Sequence, residues 1–152
     1  MQETRITAGN ITFIVKELRA RAAAGGGVIG VSVGVVDRQG EQDTFVIRFD
    51  WSPDSPHYHY NPGKKNGREI PLDPALVGDS MEWFLGRMPE RLASLVDNAG
   101  YPDLAKGISR SDVTRVMPDV TRAANGLAES VVKILSLRKA EEDAHANPQQ
   151  GG

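Results

Sequence analysis

Two of the chain's three histidines lie in a short alternating run, His57–Tyr60, that is bracketed by prolines. Successive side chains of an extended strand point to opposite faces, so His57 and His59 share one face while Tyr58 and Tyr60 share the other. Two imidazoles at this spacing can converge on a metal ion, or one of them can act as a general acid or base. The alternative is structural: the tyrosines pack on the core and the histidines face water.

Charged residues next to this run extend the candidate site. Arg48 and Asp50 lie near the end of the preceding strand, and with His57 and His59 they are the candidate catalytic residues. In this interpretation Asp50 orients an imidazole, while Arg48 or Lys65 stabilises the transition state of a phosphate substrate. The third ligand of a usual metal set is not visible in the sequence, so no metal ligand is assigned and no cofactor is predicted.

The segment that follows is rich in turn-forming and basic residues. It reads N-P-G-K-K-N-G-R over 61–68, and Asn-Gly is a strong turn signal. The basic side chains can hold phosphate or an acidic partner, or they can be solvated loop charges. The mixture of aromatic and basic residues leaves contact with nucleic acid as an open alternative. The candidate binding residues are Tyr58, Tyr60, Lys64, Lys65 and Arg68.

Length and composition describe one soluble globular domain. The chain has 152 residues, of which 39% are apolar and 25% charged, and its net charge is −2. This charge argues against a dedicated binder of duplex DNA. The chain has no cysteine, which excludes disulfides, thiolate metal sites and cysteine nucleophiles. Because no apolar leader or membrane-spanning run is present, we expect no membrane contact and a cytoplasmic location.

The hydrophobic pattern predicts a single α+β domain over 1–146, followed by a flexible tail at 147–152. A small antiparallel sheet of three to four strands is predicted at 28–36, 44–51, 57–60 and 68–72. On the second of these strands, one face is predicted to carry Phe45, Ile47, Phe49 and Trp51. In the strand at 28–36, Gly30, Ser32 and Gly34 make one face nearly bare, and such a face lets a helix or another chain approach closely.

Helices are predicted before and after the sheet. Apolar residues from Ile11 to Leu18 follow a helical spacing behind Asn10, which predicts an N-terminal helix over 11–24. Pro89 either kinks the next helix or starts a new one. The last helix either closes over the sheet or protrudes and forms a homodimer. The C-terminal helices are predicted at 80–98, 111–117 and 119–144.

Two resemblances to known families add to these expectations. The order of a hairpin, an Arg-aromatic-Asp motif at 48–50, a histidine-bearing loop and a helix resembles the TumE-like family of small prokaryotic toxin–antitoxin proteins over about 28–96. The resemblance implies that Arg48, Asp50 and the two histidines are the functional positions. The end of the chain, Gln-Gln-Gly-Gly, is similar to the tail of ubiquitin-like modifiers, and the alternative is an ordinary disordered end.

Three functions remain open at this point. The first is a non-enzymatic protein-interaction component of a prokaryotic toxin–antitoxin, defence or immunity system, with a protein partner encoded nearby. The absence of cysteine, of a recognised cofactor motif and of G-x-S-x-G or H-E-x-x-H favours this function over an enzyme. The second is a small metal-independent nuclease or other hydrolase that uses His57 and His59. The third is a ubiquitin-like modifier or a protein of a modifier pathway, acting through Gly151 and Gly152.

Overall fold

Six antiparallel strands form one sheet, in which each strand pairs with the next along the chain. This arrangement is seen in the computed structural model, which describes residues 3–40 and 42–146. The strands are β1 (Glu3–Ala8), β2 (Ile11–Arg19), β3 (Val28–Asp37), β4 (Phe45–Trp51), β5 (His57–Tyr60) and β6 (Arg68–Pro71). The helices are α1 (Pro74–Val77), α2 (Ser80–Gly86), α3 (Met88–Asn98), α4 (Pro102–Lys106) and α5 (Arg110–Ala146). The fold is α+β, as predicted, but its sheet is larger than the predicted three to four strands.

The predicted N-terminal helix over 11–24 is wrong, because this segment begins with strand β2. Gly9, with a φ of +61°, and Asn10 form the two-residue turn of a hairpin between β1 and β2. The strand is rich in β-branched residues, which favour extended backbone over helix. Ile14 and Val15 point to opposite faces and both are buried. The spacing that resembles a helix therefore belongs to a strand that carries apolar residues on both faces.

Helices α2, α3 and α5 pack on one face of the sheet, which we call the inner face; the opposite face is the outer face. Phe49 of β4 stacks on Phe84 of α2 with 4.6 Å between the ring centroids. Stacked aromatic pairs stabilise a core beyond the area that they bury. The core joins side chains of both layers, among them Phe13, Val33, Phe49, Phe84, Leu92 and Val120.

A β-bulge changes which residues of β4 reach the core. The register of β3 and β4 shifts between Val35 and Val36. As a result Phe45 lies on the outer face, contrary to the prediction, and its ring covers Gly34. Val46 takes its place in the core. The bare face of β3 is thus partly filled by a side chain of the neighbouring strand.

A proline divides the predicted helix 80–98 into two helices. Pro89 lies in the first turn of α3, where its missing N–H leaves no intrahelical hydrogen bond unmade. Asp79 caps α2 by accepting a hydrogen bond from the backbone N–H of Glu82. The two helices together cover the core beneath β4.

The predicted helices 111–117 and 119–144 form the single helix α5, with Pro118 in its interior. A proline inside a helix costs roughly 3 kcal/mol. Val113 and Val120 are fully buried on either side of it, and their packing offsets this cost. The helix packs against β1, β2 and β3, so much of it closes over the sheet. Among the helices of the described ranges, none has the length and apolar content that crossing a bilayer requires.

Candidate functional site

The four candidate catalytic residues come together on the outer face, where β4 and β5 pair. In the register of these strands Arg48 lies opposite His59, and Asp50 lies opposite His57. Side chains directly opposite on paired strands have Cβ atoms only about 5 Å apart. The alternation that was predicted for the His-Tyr run therefore places both imidazoles beside a guanidinium and a carboxylate.

Asp50 occupies the centre of this group, and its side chain is only 3% exposed. Arg48 donates two hydrogen bonds of 2.8 Å to its carboxylate, from Nε to Oδ1 and from Nη2 to Oδ2. The Nε2 atom of His59 lies 3.1 Å from Oδ2, and the Nε2 atom of His57 lies 3.6 Å from it. The buried carboxylate thus pairs with a guanidinium on one side and faces two imidazoles on the other.

Glu69 of β6 belongs to the same group, although sequence reasoning missed it. It lies opposite His59 in the register of β5 and β6. Its Oε1 atom is 3.2 Å from His57 Nε2 and 3.9 Å from His59 Nε2. The signal was present, because pairing the predicted strands 57–60 and 68–72 from their adjoining ends sets these residues opposite each other. We call Arg48, Asp50, His57, His59 and Glu69 the outer-face site.

The turn between β5 and β6 holds Glu69 in place. Asn61 ends β5 with a φ of +48°, a left-handed conformation that asparagine tolerates better than most residues. Its buried side-chain amide donates a 2.8 Å hydrogen bond to the carbonyl oxygen of Ala99 at the end of α3. Gly67 closes the turn so tightly that a Cβ there would lie 2.7 Å from the carbonyl oxygen of Asn61. Glycine at this position therefore lets β6 fold back beside β5.

A backbone carbonyl fixes the ring of His57. The Nδ1 atom lies 2.8 Å from the carbonyl oxygen of Ser55, which accepts hydrogen bonds and cannot donate them, so Nδ1 carries a proton. In a neutral ring Nε2 then carries a lone pair, and this lone pair faces the carboxylate oxygens of Asp50 and Glu69. Such an arrangement calls for a cation between these atoms, either a second ring proton or a metal ion.

Burial lowers the pKa of His59 below its ordinary value of 6.5, and this effect exceeds the opposing attraction of Asp50. The positive charge of Arg48 lowers the pKa further. The ring of His59 is therefore neutral at pH 7, which is the form in which imidazole binds metals. One donor atom each from Asp50, His57 and His59 lies within 4.8 Å of the others, so these three residues can hold a metal ion.

Ser32 adds a buried hydroxyl beside the carboxylate. It lies opposite Asp50 in the register of β3 and β4 and is 1% exposed. Within the described residues its Oγ has no hydrogen-bond partner. Buried polar atoms are nearly always hydrogen-bonded, so this hydroxyl is available to a further polar group at the site.

The predicted binding residues do not form one set. Tyr58 and Tyr60 lie on the inner face with 5.5 Å between their ring centroids, and the guanidinium of Arg68 lies 4.5 Å from the ring of Tyr60. Lys64 instead donates a hydrogen bond to the hydroxyl of Tyr101, between α3 and α4. Lys65 is exposed. The basic turn is therefore separated from the outer-face site, and only its last residue approaches the two tyrosines.

Comparison with known proteins identifies a family whose description names no activity. No curated protein and no solved structure matches the chain. A family model matches residues 5–124, a range that begins in β1, ends within α5 and includes the whole outer-face site. The chain belongs to the family described as Domain of unknown function (DUF7700).

Proposed function

We propose that this protein binds one divalent metal ion of the Zn²⁺ type at the outer-face site and uses it to activate water for hydrolysis. The orientation of His57 carries this proposal, because its Nδ1 atom donates to the Ser55 carbonyl and leaves Nε2 facing two carboxylates. Imidazoles that bind metals typically donate their other ring N–H to a carbonyl or carboxylate in this way.

The spacing of the donor atoms supports the same function. A tetrahedral zinc ion at 2.0–2.2 Å from its nitrogen and oxygen ligands sets those ligands about 3.3–3.6 Å apart. Around the site, the distances from Asp50 Oδ2 to the two Nε2 atoms are 3.1 and 3.6 Å. The distances from Glu69 Oε1 to the same nitrogens are 3.2 and 3.9 Å. Small movements of the Asp50, His57 and His59 side chains would bring these three donor atoms to the spacing of ligands of one zinc ion.

Differences in exposure favour a catalytic over a purely structural metal site. The side chains of Asp50, His57 and His59 are 3%, 17% and 19% exposed, whereas that of Glu69 is 60% exposed. Catalytic zinc sites use three protein ligands and keep a fourth position for water, whose pKa falls to about 7. With zinc held by the other three residues, the exposed Glu69 carboxylate would be available to accept a proton from water bound at that position.

Arg48 is the positioning residue of this site. Its two hydrogen bonds fix the plane of the Asp50 carboxylate so that Oδ2 faces the imidazoles. Carboxylates that bind metals are commonly held by such outer hydrogen bonds, and their removal typically costs about 10–100-fold in metal affinity or activity.

Isothermal titration of the chelator-stripped protein with Zn²⁺ tests the binding half of the proposal. We expect one equivalent to bind the wild-type protein and no saturable binding to the double variant H57A/H59A. The matched control is His145→Ala, which removes an exposed histidine near the end of α5. The proposed zinc binding would be overturned by a wild-type protein that binds no zinc, or by a double variant that binds zinc as tightly as the control does.

Hydrolysis is tested separately with the zinc-loaded protein. Activated aryl esters and bis-aryl phosphodiesters are suitable probes because they report water attack at carbon and at phosphorus. We expect turnover of at least one class that disappears on chelation and in the H57A/H59A variant. If the protein binds zinc but turns over neither esters nor phosphodiesters, the proposed hydrolysis is wrong and only the metal-binding role remains.

A second candidate is the protein-interaction role in a toxin–antitoxin, defence or immunity system. The end of α5 supports it, since Leu137 is 67% exposed and residues 139–146 are all exposed. We expect Leu137→Glu to abolish a homodimer or a co-purifying partner, measured by light scattering and pull-down. Leu76→Glu is the control, because Leu76 is an exposed leucine on α1. A wild-type protein that is monomeric and has no partner in its own operon would contradict this candidate.

Four sequence-based expectations stay predictions. The resemblance to the TumE-like family adds the toxin–antitoxin setting to the second candidate. Gly151 and Gly152, which the modifier hypothesis requires, lie outside the described residues. Nucleic-acid contact and a cytoplasmic location likewise await experiment.

A further inference from the structure

A cleft of about 590 Å³ lies between α3 and the inner face of β5. This volume is within the range of small-molecule sites, roughly 300–1,000 Å³. Its lining includes the rings of Tyr58, Tyr60 and Trp83 and the apolar side chains of Met88 and Leu95. The cleft and the outer-face site lie on opposite faces of the same strand, so they are separate sites.

Arginine side chains give this aromatic cleft a positive rim. Arg87 and Arg91 line it, and Arg68 lies over the Tyr60 ring. Within the described residues none of these three arginines forms an ion pair, whereas Arg48, Arg110, Arg115 and others do. Asp97 contributes one negative charge to the lining. The balance of charge around the cleft therefore favours an anion.

Two of these guanidinium groups are already held in place. Arg87 lies 4.2 Å from the Trp83 ring and donates one hydrogen bond to the Trp83 carbonyl oxygen. Arg68 lies over Tyr60 and donates one hydrogen bond to the carbonyl oxygen of Asn98. A guanidinium has five N–H donors, so each retains donors for a ligand. Such preorganisation reduces the entropy that binding would cost.

Neighbouring aromatic rings hold Tyr58 in place. Its ring packs against Phe84, with 5.2 Å between the centroids, and against Tyr60, with 5.5 Å between the centroids. The cleft thus combines aromatic rings and guanidinium groups at one place.

We propose that this cleft binds a small aromatic anion, a planar ring that carries a phosphate or a carboxylate group. The rings of Tyr58, Tyr60 and Trp83 provide stacked or edge contacts for the planar part. The guanidinium groups bind the anionic part, because their paired N–H donors match phosphate and carboxylate geometry. This binding site goes beyond the metal-dependent function and does not rest on it.

Isothermal titration in the presence of a chelator tests the proposal with two matched pairs of probes. Each pair compares an anion with a neutral counterpart: AMP with adenosine, and benzoate with benzyl alcohol. We expect the anion of at least one pair to bind at least about tenfold more tightly than its neutral partner. The pair that responds tells whether the cleft selects phosphate or carboxylate. Equal binding within both pairs, or no binding of either anion, overturns the proposal.

Variants then locate the binding. The double change R87L/R91L should remove the preference for the anion, while Arg122→Leu should leave it unchanged. Arg122 is the control because its side chain is 77% exposed and pairs with Asp119 on α5, outside the cleft lining. If the double variant does not fold, Arg68→Leu serves in its place and should weaken the anion at least about fivefold. Retained preference in a folded cleft variant contradicts the assignment.

Discussion

The two faces of strand β5 present different chemistry only one residue apart. On the outer face, His57 and His59 bring ring nitrogens within 4 Å of two carboxylates. On the inner face, Tyr58 and Tyr60 join an aromatic group that continues into Phe84 and the core. The alternation of a strand separates these two environments completely.

This difference separates what holds the protein together from what it can bind. Side chains of the inner face share a core with α2, α3 and α5, so their removal costs free energy of unfolding. Side chains of the outer-face site contribute donor atoms, so their removal should chiefly cost metal affinity. If this difference is real, substitutions on the inner face should change stability, and substitutions in the outer-face site should change metal binding.

The largest effect is expected for Phe49→Ala, which removes a fully buried ring of the inner face. The loss of its packing and the cavity left behind should lower the free energy of unfolding by about 3–5 kcal/mol. Urea unfolding followed by circular dichroism measures this change. Leu76→Ala, at an exposed leucine, is the control and should stay within about 0.5 kcal/mol. A loss at Phe49 as small as that of the control would show that the core is assigned wrongly.

The next effect concerns the metal ion and distinguishes the two faces directly. Zinc at a hundred times its dissociation constant should stabilise the wild-type protein by about 2.7 kcal/mol, seen as a rise in Tm. His57→Ala should abolish this rise. Tyr58→Phe, one residue away on the inner face, should keep it. If zinc changed the Tm of the two variants equally, the outer-face site would not be the metal site.

A smaller effect is expected for a change that touches neither face of the sheet. Gly126 lies on the exposed side of α5, and a Cβ there would meet no atom within 4 Å. Gly126→Ala should raise the free energy of unfolding by about 0.5–1 kcal/mol, because alanine loses less backbone entropy in a helix. The zinc-dependent rise in Tm should be unchanged. Destabilisation by this substitution would indicate that α5 is distorted at this position.

The smallest effect is a pH dependence of the metal-free protein. The pKa of His59 is below 6.5 in the folded state, so the unfolded state binds its proton more readily. The free energy of unfolding in chelator should therefore fall as the pH falls below about 6.5. His59→Gln should make this part of the pH profile flatter. Identical slopes for the wild-type protein and the variant would contradict a neutral, partly buried imidazole.

The sequence predicted the middle of the fold better than its start, for a physical reason. Prolines and a clear period of two delimited β5 and allowed its two faces to be assigned. In β2 apolar residues lie on both faces, so the period of two is hidden and a helical spacing remains. The Gly9–Asn10 turn was the missed signal, since such a pair joins two strands in a tight hairpin. The bulge at Val35 and Val36 depends on tertiary packing and moved Phe45 off its predicted face.

The site was predicted in part for similar reasons. Arg48, Asp50, His57 and His59 were found from residue type and alternation, which a single strand displays in its own sequence. Glu69 required the register between β5 and β6, which follows only when the ends of both strands and the turn at 61–67 are assigned. The hydrogen bond from His57 to the Ser55 carbonyl has no sequence signal, because every residue carries a carbonyl group.

Anomalous diffraction above the zinc absorption edge, from crystals grown with one equivalent of Zn²⁺, tests the central claim most directly. The metal proposal predicts one anomalous peak on the outer face, about 2.0–2.2 Å from Asp50 Oδ2 and from the Nε2 atoms of His57 and His59. An outer face without such a peak, with both imidazoles hydrogen-bonded directly to the carboxylates, would contradict it.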